Sequence, residues 1–461
     1  MITGDYMINI KTDSRKVKKG DIFAAVKCEV NDGHKYIDAA IKNGASKIIC
    51  EEGNYNVDTI VVEDSRKYLT DYLKDNYNKY LDEMNIIGIT GTNGKTTTAY
   101  LIYDMLNKLG YKCAYIGTIG YYLDKKVCNL PNTNPDICEM YDMIINAYDN
   151  GYKNVVIEAS SQGLHFGRLE NIEFNYACFT NLTQDHLDYH VTMENYALAK
   201  QLLFKKLKPN GLGILNYDSE YNKYFITDNT IYYGFNGGDY HIINYKMGSN
   251  TLFTYKYKDK EYEINSPLIG DYNINNLLLA LIVVEQMGVS INEIMSVIPK
   301  LSCPPGRMDI IRYNKSTIIV DYAHTPDAVE KIINTVKAVS SGKIFVVFGC
   351  TGDRDRTKRP IMTEIVLSNS HMGIITIDDL HDEDPNRIVS DMLSENKRNN
   401  YKIYLDRKEA IEYGINMLEE NDFLLILGKG HEEAIIVKDK RIPFNDHNVV
   451  MDIIKEKVEM I

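Results

Sequence analysis

From Gly88 to Thr98 the chain reads Gly-Ile-Thr-Gly-Thr-Asn-Gly-Lys-Thr-Thr-Thr. The apolar run Asn85-Ile86-Ile87 before it has the look of a strand, and the apolar positions from Thr98 to Leu109 have helical spacing. A strand, a glycine-rich turn and a helix N-terminus in that order make a phosphate cradle. Backbone N–H groups and the positive end of the helix dipole face the anion. Gly91, Thr92, Asn93 and Gly94 form the turn, and Thr97 follows in the first turn of the helix. Lys95 is placed to reach terminal phosphates, and the Thr96 hydroxyl to bind Mg2+. The strict pattern wants glycine five residues before Gly94, where this chain has Ile89. The spacing Gly88-x-x-Gly91-x-x-Gly94-Lys95-Thr96 is therefore a variant.

A chain of 461 residues is too long for one ordinary domain, so roughly two to four are expected. Residues 1–84 hold strand-like runs at 21–26 and 47–50 around a helix-like stretch at 36–43. A polar stretch, 71–82, leads into the phosphate loop. Residues 85–302 continue through strands at 154–158 and 176–180, a small antiparallel excursion between Tyr232 and Leu268, and a helix at 276–287. Cys303-Pro304-Pro305-Gly306 is the strongest punctuation in the chain and marks a boundary. In residues 303–461, apolar runs at 316–320, 343–348 and 423–427 alternate with helical segments, the grammar of βαβ units. The expected fold class is α/β in three domains: a small α/β N-terminal domain, a central phosphate-loop doubly wound sheet and a C-terminal Rossmann-like domain.

A net charge of −12 argues against a general nucleic-acid binder. The cysteines are scattered with no metal-like spacing and read as buried thiols of a reducing compartment. The start of the chain shows no basic-then-apolar signal pattern, and no apolar run is long enough to span a bilayer. A cytoplasmic location without membrane insertion is the expectation.

Polar residues stand directly after several strand-like runs, where doubly wound sheets bind their ligands. Glu158 ends one run and begins Glu-Ala-Ser-Ser-Gln-Gly-Leu; Thr180 begins Thr-Asn-Leu-Thr-Gln-Asp-His-Leu-Asp-Tyr-His. Glu158 and His186 from neighbouring strand ends read either as ligands of a shared Mg2+ or as a helix cap and an ordinary loop histidine. Lys200, on an amphipathic helix at 194–204, reads by itself as a solvated lysine.

Together these motifs resemble the Mur ligases, which join an amino acid to a carboxylate with ATP. Within that family the likeness is to the UDP-N-acetylmuramoyl-tripeptide synthetases, the MurE type, and it runs nearly end to end. Thr12-Asp13-Ser14-Arg15-Lys16-Val17 and Asn31-Asp32-Gly33-His34 resemble the UDP-binding N-terminal domain. Asn132-Thr133-Asn134-Pro135, Glu158-Ala-Ser160-Ser161 and Gly167-Arg168 resemble its muramyl-peptide motifs. Asp185-His186-Leu-Asp-Tyr-His and Tyr196-x-x-Ala199-Lys200 complete the central domain, and Tyr272-Asn273-Ile-Asn-Asn276 resembles its adenine-side helix. Pro305-Gly306-Arg307-Met308, Asp321-Tyr-Ala-His324, Gly352-Asp353-Arg354-Asp355 and Gly428-Lys429-Gly430-His431-Glu432 resemble the C-terminal domain.

The resemblance implies that Lys200 is carbamylated by CO2 and, with Glu158 and His186, holds one Mg2+, while a second sits near Thr96 and the β- and γ-phosphates. It implies ATP contacts from Gly91 to Thr97 and from Asn276, Arg307, Asp321 and His324. Ser14, Asn132, Thr133, Asn134, Ser160 and Arg168 would hold the UDP-N-acetylmuramoyl-dipeptide. Arg354, Asp378, Asp379, His381, Gly428 and Glu432 would hold a free amino acid in the C-terminal ligase domain. In relatives that use meso-diaminopimelate the amino-acid motif is Asp-Asn-Pro-Arg; here it is Asp378-Asp379-Leu380-His381. Imidazole cannot form the bidentate guanidinium–carboxylate pair, and an extra carboxylate at Asp379 suits a cationic side chain. A lysine- or ornithine-like substrate is therefore the expectation, in a monomeric enzyme of peptidoglycan precursor synthesis. Two other readings compete. One is an amide ligase on another acceptor, such as a folylpolyglutamate synthetase, whose chain begins close to its loop. The other is a nucleotide-binding scaffold without catalysis, disfavoured by the presence of Lys95, Thr96, Glu158, His186, Lys200 and Asp321.

Overall fold

The structure is a computed structural model that describes residues 8–27, 32–248 and 250–459. Asn31 of the N-terminal motif and the first residues of the chain lie outside it. The fold is α/β, and the chain divides into two compact units. The first runs to Ile242 and adds Lys256–Lys260 and Asn275–Ile294; the second takes the remainder.

The first unit holds a small sheet and the inner strands of a larger one. The smaller one is parallel, with strands Ile10–Lys11, Ile22–Ala24, Lys47–Cys50 and Asp58–Val61 in chain order. The polar stretch before the phosphate loop is the later part of a helix, Ser65–Asp82. Asp64 caps it, accepting from the Lys67 N–H at 2.8 Å, and Leu69, Leu73 and Leu81 bury one face. The lysines that gave the stretch its polar look, Lys74 and Lys79, are exposed, while Tyr72, Tyr77 and Tyr80 are half-buried and pack against the core.

In the central sheet the phosphate-loop strand, Asn85–Thr90, lies between Phe174–Phe179 and Asn154–Glu158, all parallel. Cys113–Gly117 extends the sheet on one side and Leu207–Asn216 on the other. The inner strands are apolar on both faces because helices cover both. Register sets Ile89 beside Glu158 and Thr90 beside Phe179, so these carboxyl ends form one rim. The excursion expected after Tyr232 does not begin as antiparallel structure. Thr230–Gly234 pairs parallel with Leu207–Asn216, and Tyr240 and His241 pair parallel with Tyr233 and Gly234.

In the second unit a sheet has the order Asp309–Tyr313, Ser316–Asp321, Phe423–Leu427, Ile344–Phe348, Met372–Ile375, Tyr401–Ile403. Only the first pair is antiparallel. The three apolar runs read from the sequence are its adjacent central strands. A hairpin of Ala434–Val437 and Lys440–Pro443 stands apart from it.

Candidate active site

The phosphate loop is held open by residues it does not contain. Thr180 Oγ1 and Asn181 Nδ2 donate to the Asn93 carbonyl at 2.6 and 3.1 Å. The Asn93 N–H donates to Asn181 Oδ1 at 3.0 Å, and the Thr92 N–H to the Asn181 carbonyl at 2.8 Å. Gly91 has φ +145°, and a Cβ there would stand 1.9 Å from Thr180 Oγ1. Gly94 has φ +85°, and its Cβ would meet Asn276 Oδ1 at 2.5 Å. The glycine missing from the strict pattern explains itself: Ile89 is still in the strand, fully buried, and the turn begins only at Gly91. Asn276 also accepts from Thr98 Oγ1 at 3.3 Å, which ties its helix to the phosphate loop.

Lys95 Nζ donates to the Gly91 and Thr92 carbonyls, each at 2.9 Å, so the ammonium lies folded over the loop. Thr96 Oγ1 donates to Glu158 Oε2 at 2.9 Å. Glu158 is fully buried and accepts from every side. Tyr115 OH and the Thr118 N–H (2.9 Å) donate to Oε1, and Thr118 Oγ1 donates to Oε2 at 3.1 Å. Of the two readings of Glu158, the helix cap is excluded: Ser160 caps the helix, accepting from the Gly163 N–H at 3.0 Å.

Lys200 is not a solvated lysine. It is 1% exposed, and its Nζ donates to the Gly91 carbonyl at 2.8 Å and lies 4.3 Å from the centre of the Tyr196 ring. Burial, and after it the charge of Lys95, hold its pKa well below the usual lysine range. His186 is different. It is exposed, has φ +51°, and its Nε2 is 3.6 Å from Asp185 Oδ2, on the residue before it. The structure brings together Lys95, Thr96, Glu158 and Lys200; it leaves His186 at the edge of this group.

Ser14, Asn132 and Arg168 line one cavity of about 650 Å3 together with Asp13, Arg15 and Arg66. Asn134 is fully buried and acts as a brace. Its Nδ2 donates to the Glu158 carbonyl at 2.6 Å, and its Oδ1 accepts from the Ser160 N–H and Oγ at 3.0 and 2.9 Å. Arg168 Nη1 donates to the Asn134 carbonyl at 2.8 Å, and Thr133 Oγ1 is 3.0 Å from Thr118 Oγ1. These bonds connect the cavity wall to the loop beside Glu158.

In the second unit Asp321 accepts from the N–H groups of Met308 and Ala323, both at 2.8 Å. Burial raises its pKa, and the charge of Arg307 opposes that rise. Arg307 lies over the Tyr322 ring at 4.7 Å, and its buried Nε has no hydrogen-bond partner among the described residues. His324 Nδ1 is 2.8 Å from the Tyr322 carbonyl. Arg354 lines a cavity of about 420 Å3 that it shares with Arg356 and Arg387.

Asp378, Asp379 and Glu432 bring ligand oxygens within 4.8 Å of one another, and Lys429 fills the space between them. Its Nζ stands 2.8 Å from Asp379 Oδ1, 2.8 Å from Glu432 Oε2 and 3.7 Å from Asp378 Oδ1. Burial pulls the ammonium down, but the carboxylates outweigh it and leave Lys429 above the usual lysine range. Asp379 Oδ1 also accepts from the Ile436 N–H at 2.8 Å. The carboxylate read from sequence as free for a cationic side chain is therefore already engaged. His381 has φ +48°, with its N–H donating to the Ile436 carbonyl at 3.1 Å and its own carbonyl accepting from the Lys438 N–H at 2.7 Å. A Cβ at Gly428 would stand 2.5 Å from Asp378 Oδ2, which places that glycine against the cluster.

Sequence reasoning missed Tyr115, Thr118, Lys429 and Arg407. Lys429 lay inside a motif already singled out, but nothing in the sequence showed that it is fully buried. Arg407 is a bidentate partner of Asp446 at 2.8 Å and donates to the carbonyls of Ile377 and Leu427, the residues that lead into the cluster. No motif marks it.

Known protein families match the chain in three successive stretches. The Mur ligase family catalytic domain matches residues 7–84, the Mur ligase middle domain 89–284, and the Mur ligase glutamate ligase domain 306–430. The chain is 39% identical over 463 residues to UDP-N-acetylmuramoyl-L-alanyl-D-glutamate–2,6-diaminopimelate ligase of Fusobacterium nucleatum, covering 97% of this chain and 94% of that one. It is 39% identical over 451 residues to the protein of the same name from Aquifex aeolicus, covering 96% and 93%. A solved structure of a ligase of that name superposes with a TM-score of 0.73 at 32% identity, covering 98% of this chain and 95% of the other. With ordered family domains and near-complete coverage at this identity, the chain belongs to the Mur ligase family.

Proposed function

We propose that this ligase uses ATP to add the third amino acid, a diamino acid, to UDP-N-acetylmuramoyl-L-Ala-D-Glu in peptidoglycan precursor synthesis. Residues 1–84 bind the UDP portion, 85–302 bind ATP, and 303–461 bind the amino acid. The observation that carries the reading is the group formed by Lys95, Thr96, Glu158 and Lys200 on one rim of the central sheet. Support comes also from relatives named as diaminopimelate ligases over nearly the full length.

A free carboxylate is a poor electrophile. It accepts the γ-phosphoryl of ATP to become an acyl phosphate, and the amine then attacks and releases phosphate. Lys95 and the N–H groups of the loop offset charge on the transferring group. Bound Mg2+ supplies Lewis-acid stabilisation of the phosphates. The donors fit that ion: the Thr96 hydroxyl and the Glu158 carboxylate are hard oxygens 2.9 Å apart. Lys200 reacts with CO2 as the neutral amine that its burial favours. The nitrogen loses a proton, gains a carboxylate and becomes an anionic oxygen donor next to Lys95. His186, on the exposed loop, would join the ligands of that ion. Asn276, Arg307, Asp321 and His324 complete the ATP contacts; Arg354, Asp378, Gly428 and Glu432 complete those to the amino acid. The acceptor binds along the cavity of Ser14, Asn132 and Arg168, with Ser160 and Thr133 at its inner end.

Phosphate release, measured with UDP-N-acetylmuramoyl-L-Ala-D-Glu across a panel of amino acids, tests the proposal. Turnover should require both acceptor and a diamino acid, and Lys95→Ala should lower it by several orders of magnitude without unfolding the protein. Turnover with a folate acceptor, or near-normal synthesis by Lys95→Ala, overturns it.

A further inference from the structure

Glu158 is buried among four hydrogen bonds, and its two oxygens face different partners. Oε2 accepts from Thr96, in the phosphate loop, and from the Thr118 hydroxyl. Oε1 accepts from the Thr118 N–H and from Tyr115, which lies behind the site on Cys113–Gly117. Tyr115 is fully buried, and its ring is packed edge-on by Tyr100, Tyr103 and Tyr122 at 6.4, 6.2 and 5.7 Å. Gly117 leaves the space this pair needs, since a Cβ there would lie 2.3 Å from Glu158 Oε1 and 2.5 Å from Tyr115 OH.

We propose that Tyr115 is a positioning residue: its hydroxyl pins Oε1 of Glu158 so that Oε2 is presented beside Thr96 to the divalent cation of the bound nucleotide. The inference rests on the reading of Glu158 as a cation ligand given above. The rigid ring cage fixes the hydroxyl, the hydroxyl fixes one oxygen, and the carboxylate loses its rotation about χ3. A ligand held in this way does not have to be ordered when the cation arrives. Partners of this kind are worth about 10–100-fold in metal affinity. Tyr115→Phe keeps the ring and removes only the donor.

The experiment titrates Mn2+ into the protein with a non-hydrolysable ATP analogue and reads free Mn2+ by electron paramagnetic resonance. In parallel, the Mg2+ dependence of phosphate release and the KM of the amino acid are measured. Tyr115→Phe should weaken Mn2+ binding by about 10-fold or more and raise the Mg2+ requirement equally, with the amino-acid KM unchanged. Tyr103→Phe, which loses a bond to the Leu123 carbonyl and does not touch Glu158, should bind Mn2+ as wild type does. Tyr115→Gln retains a donor without the ring. If it binds Mn2+ better than Tyr115→Phe, the hydroxyl's role is supported; wild-type affinity in Tyr115→Phe, whose ring packing is intact, overturns the proposal. Should Tyr115→Phe fail to fold, wild-type-like affinity in Tyr115→Gln supports the proposal and its loss refutes it. Glu158→Gln separates the two levels of the argument. Unchanged Mn2+ affinity in Glu158→Gln removes the ligand reading itself. Weakened affinity there, with Tyr115→Phe unaffected, removes the positioning role alone.

Discussion

Lys200 shows what a single buried cation implies. Burial, and after it the like charge of Lys95, disfavour its charged form where it stands, although the Gly91 carbonyl accepts its hydrogen bond. Carbamylation would relieve this by exchanging repulsion for attraction. Lys200→Ala should be nearly inactive, and short-chain carboxylates should restore part of the rate by supplying the missing oxygens. An unmodified Lys200 in crystals grown with ATP and bicarbonate would count against the carbamate. The amino-acid site gives a second residue-level expectation. His381 stands where relatives that clamp a distal carboxylate use arginine, and the cluster beside it sets three carboxylates against Lys429. A missing charge-assisted pair costs about 2–5 kcal/mol, so lysine or ornithine should exceed meso-diaminopimelate in kcat/KM, and His381→Arg should narrow the gap. Arg354 and Arg387, which line the neighbouring cavity, are the alternative carboxylate readers. A tenfold or greater preference for meso-diaminopimelate, about 1.4 kcal/mol, would assign that role to them.

At the scale of elements, the loops of the second unit are tied by charged pairs whose titration sets a pH window. Arg359 holds Glu383 with bonds of 2.8 and 2.7 Å and brings its pKa down to about 2. That stabilisation is present above the ordinary glutamate value and is lost as pH falls towards about 2. His447, 2.7 Å from Asp309, has the opposite sign: the carboxylate raises its pKa, so its contribution is complete below the ordinary histidine value and disappears as pH rises through the raised one. Thermal midpoints measured across pH should fall on both sides. Glu383→Gln should flatten the acid limb and His447→Gln the other; unchanged limbs would show that these pairs do not carry the dependence. Elements also mark where sequence reading succeeds. The phosphate loop was legible because glycine spacing, a strand and a helix agree locally. The three central strands of the second unit were legible because strands buried on both faces are continuously apolar. The helix Ser65–Asp82 was hidden because only five of its 18 residues are buried.

Across the whole molecule, what escaped the sequence was convergence. Tyr115 and Glu158 are 43 residues apart, Lys200 and Gly91 109, and Arg407 and Asp446 39. Residue type alone did not tell a solvated lysine from a buried one, or a free aspartate from one already paired with Lys429. Their placement depends on which strand ends become neighbours, and that is decided by sheet order. No helix of the described residues is long and apolar enough to cross a membrane.

The tyrosine cage behind Glu158 has an optical consequence. The chain contains 35 tyrosines and no tryptophan, so its near-ultraviolet absorption and intrinsic fluorescence belong to phenol rings. Few of those rings are rigid, buried and bonded to a carboxylate, and Tyr115 is all three. Drawing charge from Glu158 towards a cation weakens its pull on the phenol proton and shifts that chromophore. Adding Mg2+ with nucleotide should therefore produce a tyrosine difference spectrum without any attached dye, and Tyr115→Phe should abolish most of it. The nucleotide site would report its own occupancy in light.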